Sequence, residues 1–301
     1  MIASITPDVP FSLDAAAAFG FGPNMGRPSP AGGVMRLAFV TDDLCHQAGV
    51  ELRQQPDGTV VASIDSDAPV DAVTGQVKRI LSLDRSGREW LAVGERDPVI
   101  GRLQGDHPGL RPVLFHSPYE AAAWSVISAR RQRSQAAVLR TRIAREHGRT
   151  FTIAGEQVHA FPLPERVLAL DAISGLDGVR LQRLHGVARA ALDGALEPGP
   201  LRELEPEFAL GQLMTLAGIG PTYATLILLR STGVTDAMTF SEPRLASYVA
   251  HFYKLGPALA SPGELQAVSD GWRPFRTWTA VLVRVAGDRL GLPFEEPTRR
   301  R

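Results

Sequence analysis

The chain has 301 residues, 44% of them hydrophobic and 21% charged, the balance of an ordinary globular protein long enough for two domains. It contains no run of 18 apolar residues, and its opening residues lack the basic start and apolar core of a secretory signal, so a cytoplasmic protein without a membrane partner is expected. A single cysteine, Cys45, excludes an internal disulfide framework and any cysteine-built metal centre, and 32 basic residues against 32 acidic ones leave a formal net charge of zero that does not announce a nucleic-acid partner.

Residues 1–33 are rich in Ala, Gly and Pro and show little periodicity. Strand-like patterns follow at 34–40, 49–53 and 59–64, and Pro56-Asp57-Gly58 between the last two predicts a hairpin turn. Val70, Val73, Val77, Ile80 and Leu81 fall at helical spacing over 70–81. Strands followed by a helix predict a small N-terminal α+β domain with an antiparallel sheet, spanning 1–112. After Pro112 the chain turns helical. Ser117-Pro118-Tyr119-Glu120 reads as a helix start, with Ser117 as cap, Pro118 at the first position and Glu120 completing a capping box.

That helix is predicted to run through Ile127 and a second from 133 to 146. Arg130, Arg131, Arg133, Arg140, Arg142, Arg145 and Arg149 crowd the stretch 129–150 against the single acid Glu146. Such a cluster is either a solvated helix face or, in part, a nucleic-acid contact. Residues 161–164 form a loop, and 165–169, 179–196 and 209–216 read as further helices. Turns are marked at 256–257, 261–263 and 291–293, and 293–301 is a tail ending in three arginines.

The most informative stretch is 216–224. An apolar helix end runs into Gly218-Ile219-Gly220, and a second apolar helix starts at once. Two glycines suit a hairpin with positive φ and close approach to another molecule. The amides of Gly220, Thr222 and Tyr223 then face outward from a helix N-terminus and suit an anion such as a phosphate. A ligand-free helix–helix turn fits the same residues equally well. Further on, Ser241, Glu242 and Pro243 open a helix over 244–253, where Ser241 can cap and an acid is stabilising in any case.

Taken together, these segments resemble the helix-hairpin-helix DNA glycosylases, and most closely the bacterial 3-methyladenine DNA glycosylase II family. Residues 117–148 resemble its first helical pair, 161–165 the loop after it, 181–196 the helix leading to the hairpin, and 216–224 the hairpin itself. Trp272-Arg273-Pro274-Phe275-Arg276-Thr277-Trp278 is similar to a signature near the family's C-terminus, and 97–112 to the junction between its N-terminal domain and its helices. The resemblance covers about 34–292, and it implies an all-helical glycosylase core over 113–292.

The function so implied is hydrolytic removal of alkylated purines, of the 3-methyladenine type, from double-stranded DNA by a monomer near the nucleoid. The damaged base is flipped out, hairpin residues Gly218, Gly220, Thr222, Tyr223 and Ala224 hold the backbone, and an acid assists loss of the base. Glu242, 22 positions after Gly220, stands where the family has its catalytic aspartate. Arg130 stands at the position of the family's apolar wedge and Arg284 at that of a tryptophan that stacks on the flipped base; Trp124, Tyr223 and Trp272 are further pocket candidates, with Phe240 and Trp278 also to hand.

Lyase-active members need a lysine at the hairpin, and no lysine lies between Lys78 and Lys254, which implies a monofunctional enzyme. The one cysteine excludes the iron–sulfur branch, so no cofactor and no metal are expected. Glutamate for aspartate, with Arg130 and Arg284, also fits a relative that binds damaged or distorted DNA without excising a base. A helical protein-interaction module with no DNA role is the third reading.

Overall fold

A computed structural model describes residues 1–19, 33–240, 242–256 and 259–293. Strands β1 (Ile2–Ile5), β2 (Val34–Val40), β3 (Gln47–Gln54) and β4 (Val60–Ser66) form one antiparallel sheet in the order β1-β4-β3-β2, with helix α1 (Leu13–Phe19) between the first two in sequence. Gly58, at φ +88°, closes the β3–β4 hairpin, and Gln54 pairs with Val60. β1 lies in the stretch read as unpatterned. It pairs along β4 (Ile2 with Ser63), but of its four residues only Ile5 is buried, too little for a period to register. Helix α2 (Val70–Ile80) lays Val73, Val77 and Ile80 on the sheet, where Val50, Leu52 and Val60 complete an N-terminal hydrophobic cluster.

Two helices absent from the sequence reading follow, α3 (Gly87–Arg96) and α4 (Pro98–Asp106). Beyond them come α5 (Pro118–Ser128), α6 (Arg133–His147), a two-stranded hairpin β5 (Thr150–Ile153) and β6 (Glu156–His159), then α7 (Pro164–Leu168), α8 (Gly178–Leu192), α9 (Pro198–Glu203), α10 (Pro206–Met214), α11 (Pro221–Ser231), α12 (Pro243–Phe252), α13 (Pro262–Asp270) and α14 (Arg276–Arg289). The fold is α+β, as expected. Among the described residues no helix is long and apolar enough to cross a membrane.

The core over 113–292 is not wholly helical: β5 and β6 interrupt it. Their turn residues Ala154 and Gly155 both take positive φ, which turns the strands tightly back on each other. The hairpin docks on the first sheet, where Phe151 packs so closely over Gly49 that a Cβ there would lie 2.5 Å from the ring. Arg36 Nε also donates to the Ile153 carbonyl at 3.0 Å. The helix entering the hairpin at 216–224 is α10, whereas 181–196 belongs to α8, which stops at Leu192.

Packing runs across the expected boundary at 112. Trp90, Val93, Ile100 and Leu103 of α3 and α4 share a cluster with Leu245, Val249, Leu265, Trp272, Trp278 and Val283 from α12 to α14. A separate middle cluster joins α5, α6, α8 and α11 through residues such as Tyr119, Ile127, Leu184 and Ile227. The chain thus visits the C-terminal cluster, leaves it to build the middle one, and returns.

Ser117 caps α5, accepting from the Glu120 amide at 3.2 Å, but the capping box is not completed. The Glu120 side chain turns inward, accepting from the Val40 amide at 3.0 Å and from Arg140 Nη2 at 2.6 Å, with His116 Nδ1 at 3.2 Å. A buried carboxylate needs such partners.

Candidate nucleic-acid interface and acid site

The hairpin forms because α10 tightens at its end and Gly218 then reverses the chain. Ile219 donates to the Leu216 carbonyl at 2.9 Å and sinks into the middle cluster, which leaves Gly218 and Gly220 exposed on either side of it. Gly218 takes φ +91°, as glycine-rich turns require, and an added Cβ would lie 2.7 Å from Arg183 Cδ. Gly220 differs from expectation. At φ −92° and ψ −179° it is ordinary extended backbone capping α11, and a Cβ there would meet nothing within 4 Å.

Pro221, Thr222 and the exposed start of α11 present the helix's first turn to solvent. Ala224 is not part of that surface. Its amide donates to the Gly220 carbonyl at 2.9 Å and its side chain is fully buried. Tyr223 is half-buried against the middle cluster, its hydroxyl 3.5 Å from Ser128 Oγ at the end of α5.

That contact sets the hairpin beside the α5–α6 turn. Arg130 stands exposed in this turn at φ +54°, a left-handed conformation that non-glycine residues adopt at a cost. Neighbouring bonds hold it there: Arg131 Nη2 donates to the Gly175 carbonyl at 2.7 Å and Arg180 Nη2 to the Ala129 carbonyl at 3.1 Å. The arginine-rich stretch is therefore largely spent inside the protein. Arg140 pairs with Glu120, Arg142 donates to the Ser174 carbonyl, and Arg149 pairs with Asp65 and Asp67. Arg130 makes no side-chain bond among the described residues.

Glu242 caps α12 through its backbone, its carbonyl accepting from Ala246 at 3.1 Å, and its side chain makes no capping bond. Ser241, the expected cap, lies outside the described residues. The Glu242 carboxylate instead receives Arg284 Nη1 at 2.6 Å, across from α14. The pair is part-open, with 30% of the Glu242 side chain and 36% of that of Arg284 exposed. Two of the residues that the resemblance singles out, Glu242 and Arg284, thus touch each other.

More guanidinium groups gather nearby. Burial first, and then the Arg284 charge, lower the proton affinity of Arg230 to about 9 against the upward pull of Glu242. Burial, followed by the charges of Arg284 and Arg244, likewise lowers that of Arg133. Arg244 lies 3.8 Å from Asp288, which also accepts from the Tyr248 hydroxyl at 2.7 Å. Nothing in the sequence marks Arg133, Arg230 and Arg244 as one group; α6, α11 and α12 bring them together.

Two aromatic pocket candidates are structural. Trp272 is wholly buried in the C-terminal cluster and donates to the Tyr253 hydroxyl at 2.8 Å, and Trp124 is 5% exposed within the middle cluster. Neither leaves a ring face for a base. Trp278 is buried edge-on to Phe275 and Trp90. Phe240, on the loop leading to Glu242, stays partly buried against the C-terminal cluster.

No family model matches the chain. A curated relative, "Probable bifunctional transcriptional activator/DNA repair enzyme AlkA" of Mycobacterium tuberculosis, is 26% identical over 221 residues, covering 71% of this chain but only 42% of that protein. Among solved structures, the 3-methyladenine DNA-glycosylase from Archaeoglobus fulgidus superposes with a TM-score of 0.76 at 19% identity, over 97% of this chain and 100% of its own. MBOgg1 in complex with a low-affinity DNA ligand gives 0.67 at 18% identity over 96% of each chain. The 8-oxoguanine glycosylase/lyase of Clostridium acetobutylicum in its apo form gives 0.57 at 17% identity, over 80% of this chain and 85% of its own. The chain has the fold of the helix-hairpin-helix DNA glycosylases.

Proposed function

We propose that the protein is a monofunctional DNA glycosylase that hydrolyses the bond between a damaged purine and its deoxyribose in duplex DNA. The observation that carries this is the part-open Glu242 carboxylate at the head of α12, on the helix that follows the hairpin. The hairpin's first turn offers backbone donors to a phosphate, and Arg130, exposed on the neighbouring α5–α6 turn, enters the gap left by a flipped base. Glu242 orients water or stabilises positive character on the sugar as the C1′–N bond breaks. The oxygen of water goes to C1′, and the base leaves with the bonding electrons and takes up a proton. An abasic site and a free base remain. No lysine lies near the hairpin in sequence to form a Schiff base.

The resemblance makes alkylated purines the first class to test. The protein would work as a monomer on the DNA of the nucleoid. A release assay on damaged duplex DNA, scoring free bases by chromatography, tests the reading. Glu242→Gln is expected to keep binding to an abasic-analogue duplex and to lose release by about a hundredfold or more. Undiminished release by the variant would sink the assignment.

A second reading, recognition of damaged DNA without excision, draws on the 2.6 Å ion pair that engages Glu242 before any substrate arrives. It requires tight binding of the abasic duplex by the unaltered protein with no base released from any damaged duplex.

A further inference from the structure

Resting on the glycosylase reading, we infer that Arg284 is a positioning residue: it fixes Glu242 by one carboxylate oxygen and leaves the other free to act on the sugar or the attacking water. A glutamate has one more rotatable bond than an aspartate, and a catalytic group displaced by an ångström loses much of its effect. Its own helix does not steady Glu242, whose side chain makes no capping bond to α12. Arg284 does, with Nη1 2.6 Å from Oε1. Among the described residues Oε2 has no partner. A carboxylate carries lone pairs on both oxygens, so an ion pair made at one leaves acceptors at the other.

The arginine is itself held. Its Nε is sealed from solvent, so the stem is packed and the outer end of the guanidinium reaches into the part-open site. Helix α14, which carries it, is locked against α12, which Glu242 begins. Leu282 and Val283 share a cluster with Leu245 and Val249, and Gly287 lies so close to Tyr248 that a Cβ there would be 2.3 Å from the ring. The Tyr248 hydroxyl then donates to Asp288 at 2.7 Å. Packing therefore sets the distance between the two helices, and the rigid guanidinium fork hands that fixed distance on to the carboxylate.

The test uses the full chain and single-turnover release from duplexes carrying 7-methylguanine, hypoxanthine or 8-oxoguanine, with the variants compared on the lesion released fastest. Arg284→Ala is expected to slow release by about tenfold to a hundredfold and to leave affinity for an abasic-analogue duplex within about twofold. Arg284→Lys, able to make the same single contact, is expected to recover most of the loss. Added to Glu242→Gln, Arg284→Ala is expected to change the residual rate by less than about twofold, because it acts through the carboxylate. A part-exposed ion pair adds little to stability, so the variants are expected to fold, which circular dichroism checks. Unchanged release in Arg284→Ala overturns the inference. Faster release also overturns it and makes the pair a latch on Glu242. Affinity that falls as far as the rate, a lysine no better than alanine, or a further loss in the Glu242→Gln background would each give Arg284 another role. If the unaltered protein releases none of the three bases, the glycosylase reading fails and the inference falls with it.

Discussion

At Gly218 the hairpin needs a glycine because the backbone is left-handed, and a Cβ would also push aside the flexible Arg183 side chain. Gly220 has neither constraint, which makes it the better probe of function. Aspartate is a favourable residue at a helix N-cap, so Gly220→Asp is expected to leave thermal stability unchanged or slightly raised. The same carboxylate would face any phosphate held by the first turn of α11, and affinity for an abasic-analogue duplex is expected to fall by about tenfold or more. Unchanged affinity, measured by fluorescence anisotropy, would remove the hairpin from the contact surface. At this scale the sequence was readable where chemistry is local. The resemblance to the glycosylases brought Glu242 and Arg284 separately to notice, but they lie on different helices, and only tertiary packing sets the two 2.6 Å apart.

Between elements, the side chain that matters most is Glu120, which ties the end of β2 to α5 and α6 through Val40 and Arg140. The sequence pattern marked it as half of a capping box. Its outcome depended on a buried arginine one helix away, which no local pattern reveals. Burial alone would raise its proton affinity. The charges of His116 and Arg140 and the Val40 amide outweigh burial and bring it down from 4.5 to about 2. A carboxylate lowered in the folded state stabilises the fold fully above its unfolded value, and that contribution fades as the pH falls from 4.5 toward 2. The shift corresponds to about 3 kcal/mol. Glu120→Gln is expected to lose about that much at neutral pH in urea unfolding, and to show a flatter decline in stability across the acid range than the unaltered protein. Parallel pH profiles for the two would contradict the pairing.

For the molecule as a whole, the strand and helix periods were enough to read the α+β class, and the resemblance of several segments to a known family implied the glycosylase framework. The packing partners of α3 and α4 were not readable in the same way, because their apolar residues say that they are buried without saying against what. Since Trp90, Val93, Ile100 and Leu103 complete the C-terminal cluster, a fragment of residues 113–301 would expose the apolar faces of α12 and α14. It is expected to be poorly folded alone, with no cooperative thermal transition by circular dichroism. A sharp transition near that of the full chain would restore an independent helical domain. The same packing puts a constraint on synthesis. Roughly 140 residues separate α4 from α12, so on a ribosome the two early helices wait on the order of ten seconds or more before their partners are made. During that interval Trp90 and its neighbours are an uncovered adhesive surface on a nascent chain, and the protein's yield in the cell depends on what shields them.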